Sequence, residues 1–318
     1  MRLGHNPAKF AEGVARPERI TVVMISYIPF LSGYFAGALD VLKASLRSLR
    51  ENTEPPFDLL VFDNGSGEET VTFLQDLRRQ GGIQYLMLSD RNVGKAGAWD
   101  IVIPAAPGEI LAYADSDVYF YPGWLSAGLA ILETFPRVGM VTCRPMRTSP
   151  DLSSATLAWA ERDPEARLEG GRWISWETFR EHDLGLGQDE DEVRKRYETT
   201  QDLRVEYRGQ IALIGAVHWQ FVAHKQVLKQ FVPLAVDQPL SGDRKLDECL
   251  NQGGYLRLMT VQPLVRHLGN VLPVELGKEL AATTLRPPRP RARWLDWKPV
   301  RSLLLRLHHA IFRWYSGA

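Results

Sequence analysis

The chain has 318 residues, with 38 Lys or Arg balanced by 38 Asp or Glu and 45% hydrophobic residues. That length suits one large domain or two small ones, and the composition supplies a sizeable core, which excludes wholesale disorder. The zero net charge carries no signature of nucleic-acid binding, and none is expected. Cys143 and Cys249 lie far apart inside apolar segments. This is the pattern of buried thiols in a reducing compartment, without a disulfide frame or a metal-type spacing. The opening stretch MRLGHNPAKFAEGVARPER lacks the apolar run of a secretory signal.

Ile20 to Leu39 is uncharged over a length that could span a bilayer. Its β-branched start, Pro29 and the Ser32-Gly33 break favour a buried strand, a loop and a helix start instead. Strands and helices then alternate. ITVVMIS reads as a strand, and GALDVLKASLRSLREN as a helix with Leu39, Leu42, Leu46 and Leu49 at helical spacing. FDLLVFD is a strand stopped by the turn-rich NGSG. EETVTFLQDLRRQ is a helix that opens with acids and closes with bases, as the helix dipole prefers. IQYLMLS (strand), VGKAGAWDIVIPAA (helix), EILAYAD (strand), PGWLSAGLAILETF (helix) and VGMVTCRP (strand) follow. Short apolar strands separated by helices imply an α/β fold with a mostly parallel central sheet covered on both faces. In such sheets ligands bind beyond the carboxyl ends of the strands, where Asp63, Asp115 and Asp117 stand.

Asp115-Ser116-Asp117 puts two carboxylates one residue apart at a strand end. They can share a divalent cation of the Mg²⁺ or Mn²⁺ kind, which grips phosphate oxygens. The plainer reading is a turn, since Asp and Ser are common turn formers. However, VFDNGSGEET, RNVGKAGAWD and ADSDVYFYPGW come in that order at the ends of successive elements. This ordered set resembles the family 2 glycosyltransferases of the nucleotide-sugar-binding GT-A fold, over roughly Arg19 to Gly269. The resemblance implies a nucleotide-sugar site containing Ser26, Tyr27, Asp63, Asn92, Gly94, Lys95, Asp115 and Asp117. It also implies a metal held by Asp115 and Asp117. Two departures stand out: SYIPFLSGYFAGALD lengthens the loop after the first strand, and Asp100 replaces an Asn that often follows the glycine-containing segment.

Downstream, GDRKLDECLNQGGY matches the family's acidic helix opening, with Asp243 in the position of the general base and Gly242 in place of the usual Glu. Capping the helix is the competing role for Asp243. Asp247 and Glu248, one helical turn on, are rival candidates that rank below Asp243, because inside the helix solvated surface is the ordinary reading. The following strand, YLRLMTVQPLVRHLGN, ends at His267, which in relatives with this ending often completes the metal site. Between Thr148 and Gln210 the rhythm breaks. Trp159, Trp173, Trp176 and Tyr197 can form a satellite core or face a sugar or lipid acceptor, and QDEDEVRKR reads as a solvated helix. His218 and Trp219 are expected on the acceptor side, with core burial as the alternative.

From Arg286 onward eight Arg or Lys stand against one acid, a net of +7, leaving 30 bases and 37 acids in the rest of the chain. A Pro-rich linker there precedes a basic amphipathic helix suited to an anionic membrane surface, to the domain itself or to a second subunit. The expected organisation is an extension (1–18), a nucleotide-sugar-binding half (19–147), an acceptor and catalytic half (148–285) and the basic tail (286–318). The resemblance implies an inverting enzyme, cytoplasmic or peripheral at the inner membrane face. It would use Mn²⁺ or Mg²⁺ to move a sugar from a nucleoside diphosphate-sugar, UDP-linked, to a glycan or lipid-linked hydroxyl. A sugar-1-phosphate nucleotidylyltransferase is disfavoured because SYIPFLSGYF has no base, and a dehydrogenase because no G-x-G-x-x-G follows the first strand. A non-catalytic sugar-nucleotide or glycan binder remains the alternative.

Overall fold

The computed structural model describes residues 14–54, 56–185, 187–234, 242–274 and 276, without the side chains of 182, 242 and 243. In chain order the elements are β1 (Ile20–Ser26), α1 (Ala38–Asn52), β2 (Asp58–Asn64), α2 (Glu68–Arg79), β3 (Tyr85–Ser89), α3 (Gly94–Ala105) and β4 (Ile110–Asp115). Then come β5 (Val118–Phe120), α4 (Trp124–Thr134), β6 (Val138–Thr142), α5 (Ser154–Arg162), β7 (Arg167–Gly171), α6 (Trp176–Gly185) and α7 (Glu190–Thr199). The chain continues through β8 (Asp202–Tyr207), β9 (Gln210–Ile214), β10 (Gln220–His224), α8 (Lys225–Leu228), α9 (Gly242–Gln252), β11 (Leu256–Met259) and β12 (Val265–His267).

Ten strands form one sheet in the order β3-β2-β1-β4-β10-β6-β11-β9-β8-β7. It is mostly parallel: β10, β9 and β7 run against the other strands. Alternation along β1 shows why both faces need cover. Val22 and Met24 point into one core with Leu42, Leu46 and Leu49 of α1 and Trp124 of α4. Val23 and Ile25 point into the other, with Trp99 and Val102 of α3 and Leu246 and Leu250 of α9. Each such buried Leu contributes about 1.5–3 kcal/mol relative to exposure. The uncharged stretch from Ile20 is thus a buried strand followed by a loop, and no described helix is long and apolar enough to cross a membrane.

Three sequence expectations are corrected. The segment after Tyr255 is two strands, because β12 leaves the large sheet to pair with β5 in a separate antiparallel ribbon. The ribbon brings His267 opposite Val118, beside the Asp115–Asp117 turn. The insertion aromatics divide. Trp173, Trp176 and Tyr197 pack on a satellite core of Ile174, Phe179, Val193, Leu213 and Met259, whereas Trp159 packs on the main core beside Phe135 and Tyr207. Asp247 is buried, not solvated. The basic tail and most of the N-terminal extension lie outside the described residues.

Candidate active site at the mouth of the sheet

Strand register assembles the first part of the site. Ser26 pairs with Asp63 across β1 and β2, Ile25 with Asp115 across β1 and β4, and Asn64 with Ser89 across β2 and β3. Four adjacent carboxyl ends therefore present their polar residues in one row. Asp63 is fully buried, and both its oxygens are engaged: the Ser26 hydroxyl donates to Oδ1 at 2.9 Å and the Ser66 amide to Oδ2 at 2.9 Å. Its role in this conformation is to tie the loops after β1 and β2 together. Tyr27, one residue on, is exposed and packs edge-on against Phe35.

Asn64 and Asn92 bind the next loop in. The Val93 amide donates to Asn64 Oδ1 at 2.9 Å, and Asn64 Nδ2 and the Gly94 amide both donate to Asn92 Oδ1. Gly65 permits this approach. Its φ is +86°, and a Cβ there would come within 2.8 Å of the Arg91 carbonyl carbon. Asn92 and Gly94 are thus the hinge that opens α3 and turns Lys95 inward.

Lys95 Nζ donates to Asp115 Oδ2 at 2.8 Å, and Tyr113 donates its hydroxyl to the other oxygen. The ammonium also lies 5.3 Å from the Trp99 ring centroid. Asp117 faces differently. Its Oδ2 is 3.3 Å from His267 Nε2, while its Oδ1 is buried with no hydrogen-bond partner. Burial pushes the Asp117 carboxyl above its ordinary value; His267 acts against that rise, and Asp115 adds to it. An orphaned buried oxygen beside an imidazole fits a divalent cation, since oxygen and nitrogen donors of this kind suit Mn²⁺ or Mg²⁺. Among the described residues, no three His, Cys, Asp or Glu side chains gather around one point. Asp117 and His267 are therefore the ligand pair that the geometry offers, and Asp115 is turned to Lys95.

The side of the mouth formed by the β9–β10 loop and α9 holds His218 and Trp219 and adds Asp247 and Arg257 to them. Trp219 is buried, its carbonyl accepts from the Asp115 amide at 2.9 Å, and its ring lies 5.5 Å from that of His267. His218 Nδ1 lies 3.1 Å from Asp247 Oδ2, and Asp247 Oδ1 lies 2.7 Å from Arg257 Nη2. Arg257 is 0% exposed and Asp247 3%. Arg257 was missed, although a charged residue inside the apolar strand LRLM is itself a signal of a buried counter-charge. Asp247 ranked below Asp243 as a surface residue because its partners, which bury it, come from other segments. Asp243 opens α9 one turn before Asp247, and its side chain is not described. Asp100, the departure noted after the glycine segment, accepts from the Leu234 amide at 2.8 Å, so it anchors a loop.

A cavity of about 510 Å³ lies under the insertion; Met146, Arg147, Phe179, Asp202 and Met259 are among its walls, and Asp115, Asp117, His218 and His267 are not. It is offset from the Asp115–Asp117 turn toward β9 and β11. Arg144 pins the insertion over it, donating to the Val265 carbonyl, the Thr178 carbonyl and Glu181.

Comparison with known proteins adds a family. A curated relative, an uncharacterized glycosyltransferase of Nostoc sp., is 24% identical over 100 residues, 31% of each chain. Among solved structures, the fold is similar to a mannosyltransferase of Pyrobaculum calidifontis in complex with GDP-Man and Mn²⁺. That match has a TM-score of 0.44 and 16% identity, and it covers 78% of this chain and 58% of that one. It is also similar to S. aureus TarS 1–349 in complex with UDP-GlcNAc, with a TM-score of 0.44 and 13% identity over 86% and 68% of the two chains. The chain thus spans under a third of the curated relative and little over half of the mannosyltransferase. Residues 34–183, from the loop after β1 into α6, match the model of Glycosyl transferase family 2, the family that the ordered motifs resemble.

Proposed function

We propose that the protein is an inverting glycosyltransferase that moves a sugar from a UDP-sugar to a hydroxyl of a glycan, glycolipid or polysaccharide precursor. The observation that carries this reading is the Asp117–His267 pair with its orphaned carboxylate oxygen. It stands beside Lys95–Asp115 at the mouth of a sheet in a chain matching a glycosyltransferase family. Asp117 and His267 would hold Mn²⁺ or Mg²⁺, with Asp115 as a third ligand once it leaves Lys95. When bound, such a cation stabilises negative charge on a departing diphosphate. Lys95 adds a second positive charge to the same spot. The loops tied by Asp63, Asn64 and Asn92, together with Ser26 and Tyr27, shape the nucleoside end.

Asp243 takes the acceptor proton, and direct displacement then inverts the anomeric centre. The cavity under the insertion gives an extended acceptor room to lie. The tail from Arg286 holds the enzyme at an anionic membrane surface on the cytoplasmic side. Deleting residues 286–318 should release the protein from anionic vesicles, and salt should weaken binding of the intact chain. Equal partitioning of the two forms would remove this part. The enzymatic reading is tested by a thermal-shift panel of nucleotide sugars with and without Mn²⁺. UDP-sugars should raise Tm only with the metal; no shift from any nucleotide sugar would overturn it.

A further inference from the structure

Arg257 is an unusual occupant of a central strand. It is fully buried in β11, where its guanidinium donates to the Leu152 carbonyl at 2.6 Å and the Ala216 carbonyl at 2.7 Å. Its counter-charge is Asp247 on α9. Burial pushes the guanidinium below its ordinary value, and Asp247 acts against that shift. A buried ion pair is weak evidence for stability, since well-packed apolar residues serve as well. What an apolar pair could not do is act on a third group. Asp247 spends Oδ1 on Arg257 and presents Oδ2 to His218 Nδ1 at 3.1 Å.

The direction of that last contact follows from chemistry. A carboxylate paired with a guanidinium accepts from its other neighbours, so the hydrogen is placed on His218 Nδ1 and the Nε2 edge is turned away from Asp247. The loop carrying His218 is held on both sides. The Gly215 amide donates to the Arg257 carbonyl at 2.9 Å, the Val217 amide to Thr142 Oγ1 at 2.8 Å, and Trp219 bonds to Asp115. His218 itself is partly open, with 32% of its side chain exposed. It stands one residue from Trp219, whose carbonyl accepts from the Asp115 amide, and Asp247 lies four residues along α9 from Asp243.

We propose that His218 is an acceptor-contacting residue. Its imidazole hydrogen-bonds the sugar or polyol hydroxyl that Asp243 deprotonates, and Asp247, backed by Arg257, is a positioning residue that fixes its tautomer and orientation. The proposal rests on the transferase reading only for the identity of the hydroxyl. The first arm of the test needs no substrate. Long-range ¹⁵N–¹H spectra of the full chain, near pH 8 where an ordinary imidazole is neutral, report which ring nitrogen carries hydrogen; His218→Gln identifies its signals. Hydrogen on Nδ1 is expected. It should be lost in the double variant Asp247→Leu/Arg257→Met, which keeps the core filled and removes both charges together. Hydrogen on Nε2 alone in the wild type would overturn the proposal.

The second arm uses a panel of UDP-glucose, UDP-galactose and UDP-N-acetylglucosamine as donors, with octyl glycosides as acceptor probes. His218→Gln and the double variant should both raise the acceptor KM by about tenfold, the worth of one hydrogen bond, while donor KM stays put. An unchanged acceptor KM in His218→Gln would overturn the acceptor contact. If the wild type transfers to none of the probes, the transferase reading fails on that arm, and the tautomer arm still decides the positioning of His218.

Discussion

The two sides of the mouth hold charge beside the proposed reaction site in different ways. On the donor side the ion pair Lys95–Asp115 is partly open, at 20% and 26% side-chain exposure, and its partners arrive by strand register and a short loop. On the acceptor side Arg257–Asp247 is sealed, and its reach to His218 depends on α9, β11 and the β9–β10 loop meeting. An open pair can exchange partners when a ligand arrives. A sealed one can only hold a geometry.

The largest expected effect is on the acceptor side. Asp243→Asn should lower transfer by roughly 10²–10⁴, the usual worth of a general base, with little change in Tm because Asn can also cap a helix. Donor affinity should persist. Turnover near wild type would move the proton acceptor elsewhere on this side.

Next comes the contrast between the pairs themselves. Arg257→Met alone leaves Asp247 buried without its counter-charge and should destabilise by about 3–5 kcal/mol. Lys95→Met breaks a pair still in reach of water and should cost no more than about 1 kcal/mol, while weakening nucleoside diphosphate binding. Chemical denaturation of both variants gives the comparison; equal losses would erase the distinction drawn between the two sides.

A smaller effect concerns pH. Burial raises the Asp117 carboxyl in the folded state, so the native form holds its proton over a window in which the unfolded chain has released it. Stability therefore falls as pH rises through that window and stays lowered above it. Asp117→Asn should raise Tm modestly above that window in metal-free buffer, and the gain should shrink as pH falls from the raised value toward the ordinary carboxylate value. The smallest effect is at the thiols. Burial pushes Cys143 up to about 12, so it should resist alkylation near neutral pH until the chain unfolds, while the half-buried Cys249 reacts first. Labelling followed by peptide mapping reads this order.

The same division governs what could be read from the sequence. The fold of the half proposed for the donor was legible because its signals are local. β1, α1, β2 and α2 follow from apolar spacing and turn chemistry, and Asp63, Asp115 and Asp117 stand at strand ends in the order that the family motif has them. The acceptor half depends on distant meetings. Asp247 meets Arg257 across the turn between α9 and β11, and His218 arrives from 29 residues earlier. No periodicity encodes either meeting. The β5–β12 ribbon was also hidden, because three-residue strands are too short to show a pattern, yet it is what brings His267 to Asp117. Within the donor half, Asp63 shows the limit of motif reading. The motif located it, but its complete burial, which makes it a tie between loops, needed coordinates.

The claim that the mouth of the sheet is a metal-assisted nucleotide-sugar site is met most directly by calorimetric titration of UDP into wild type, Asp117→Asn and His218→Gln, each with and without Mn²⁺. Wild type and His218→Gln should bind UDP in a Mn²⁺-dependent manner, and Asp117→Asn should lose that dependence while remaining folded. Binding by Asp117→Asn equal to wild type, or no metal-dependent binding by any of the three, would contradict the account.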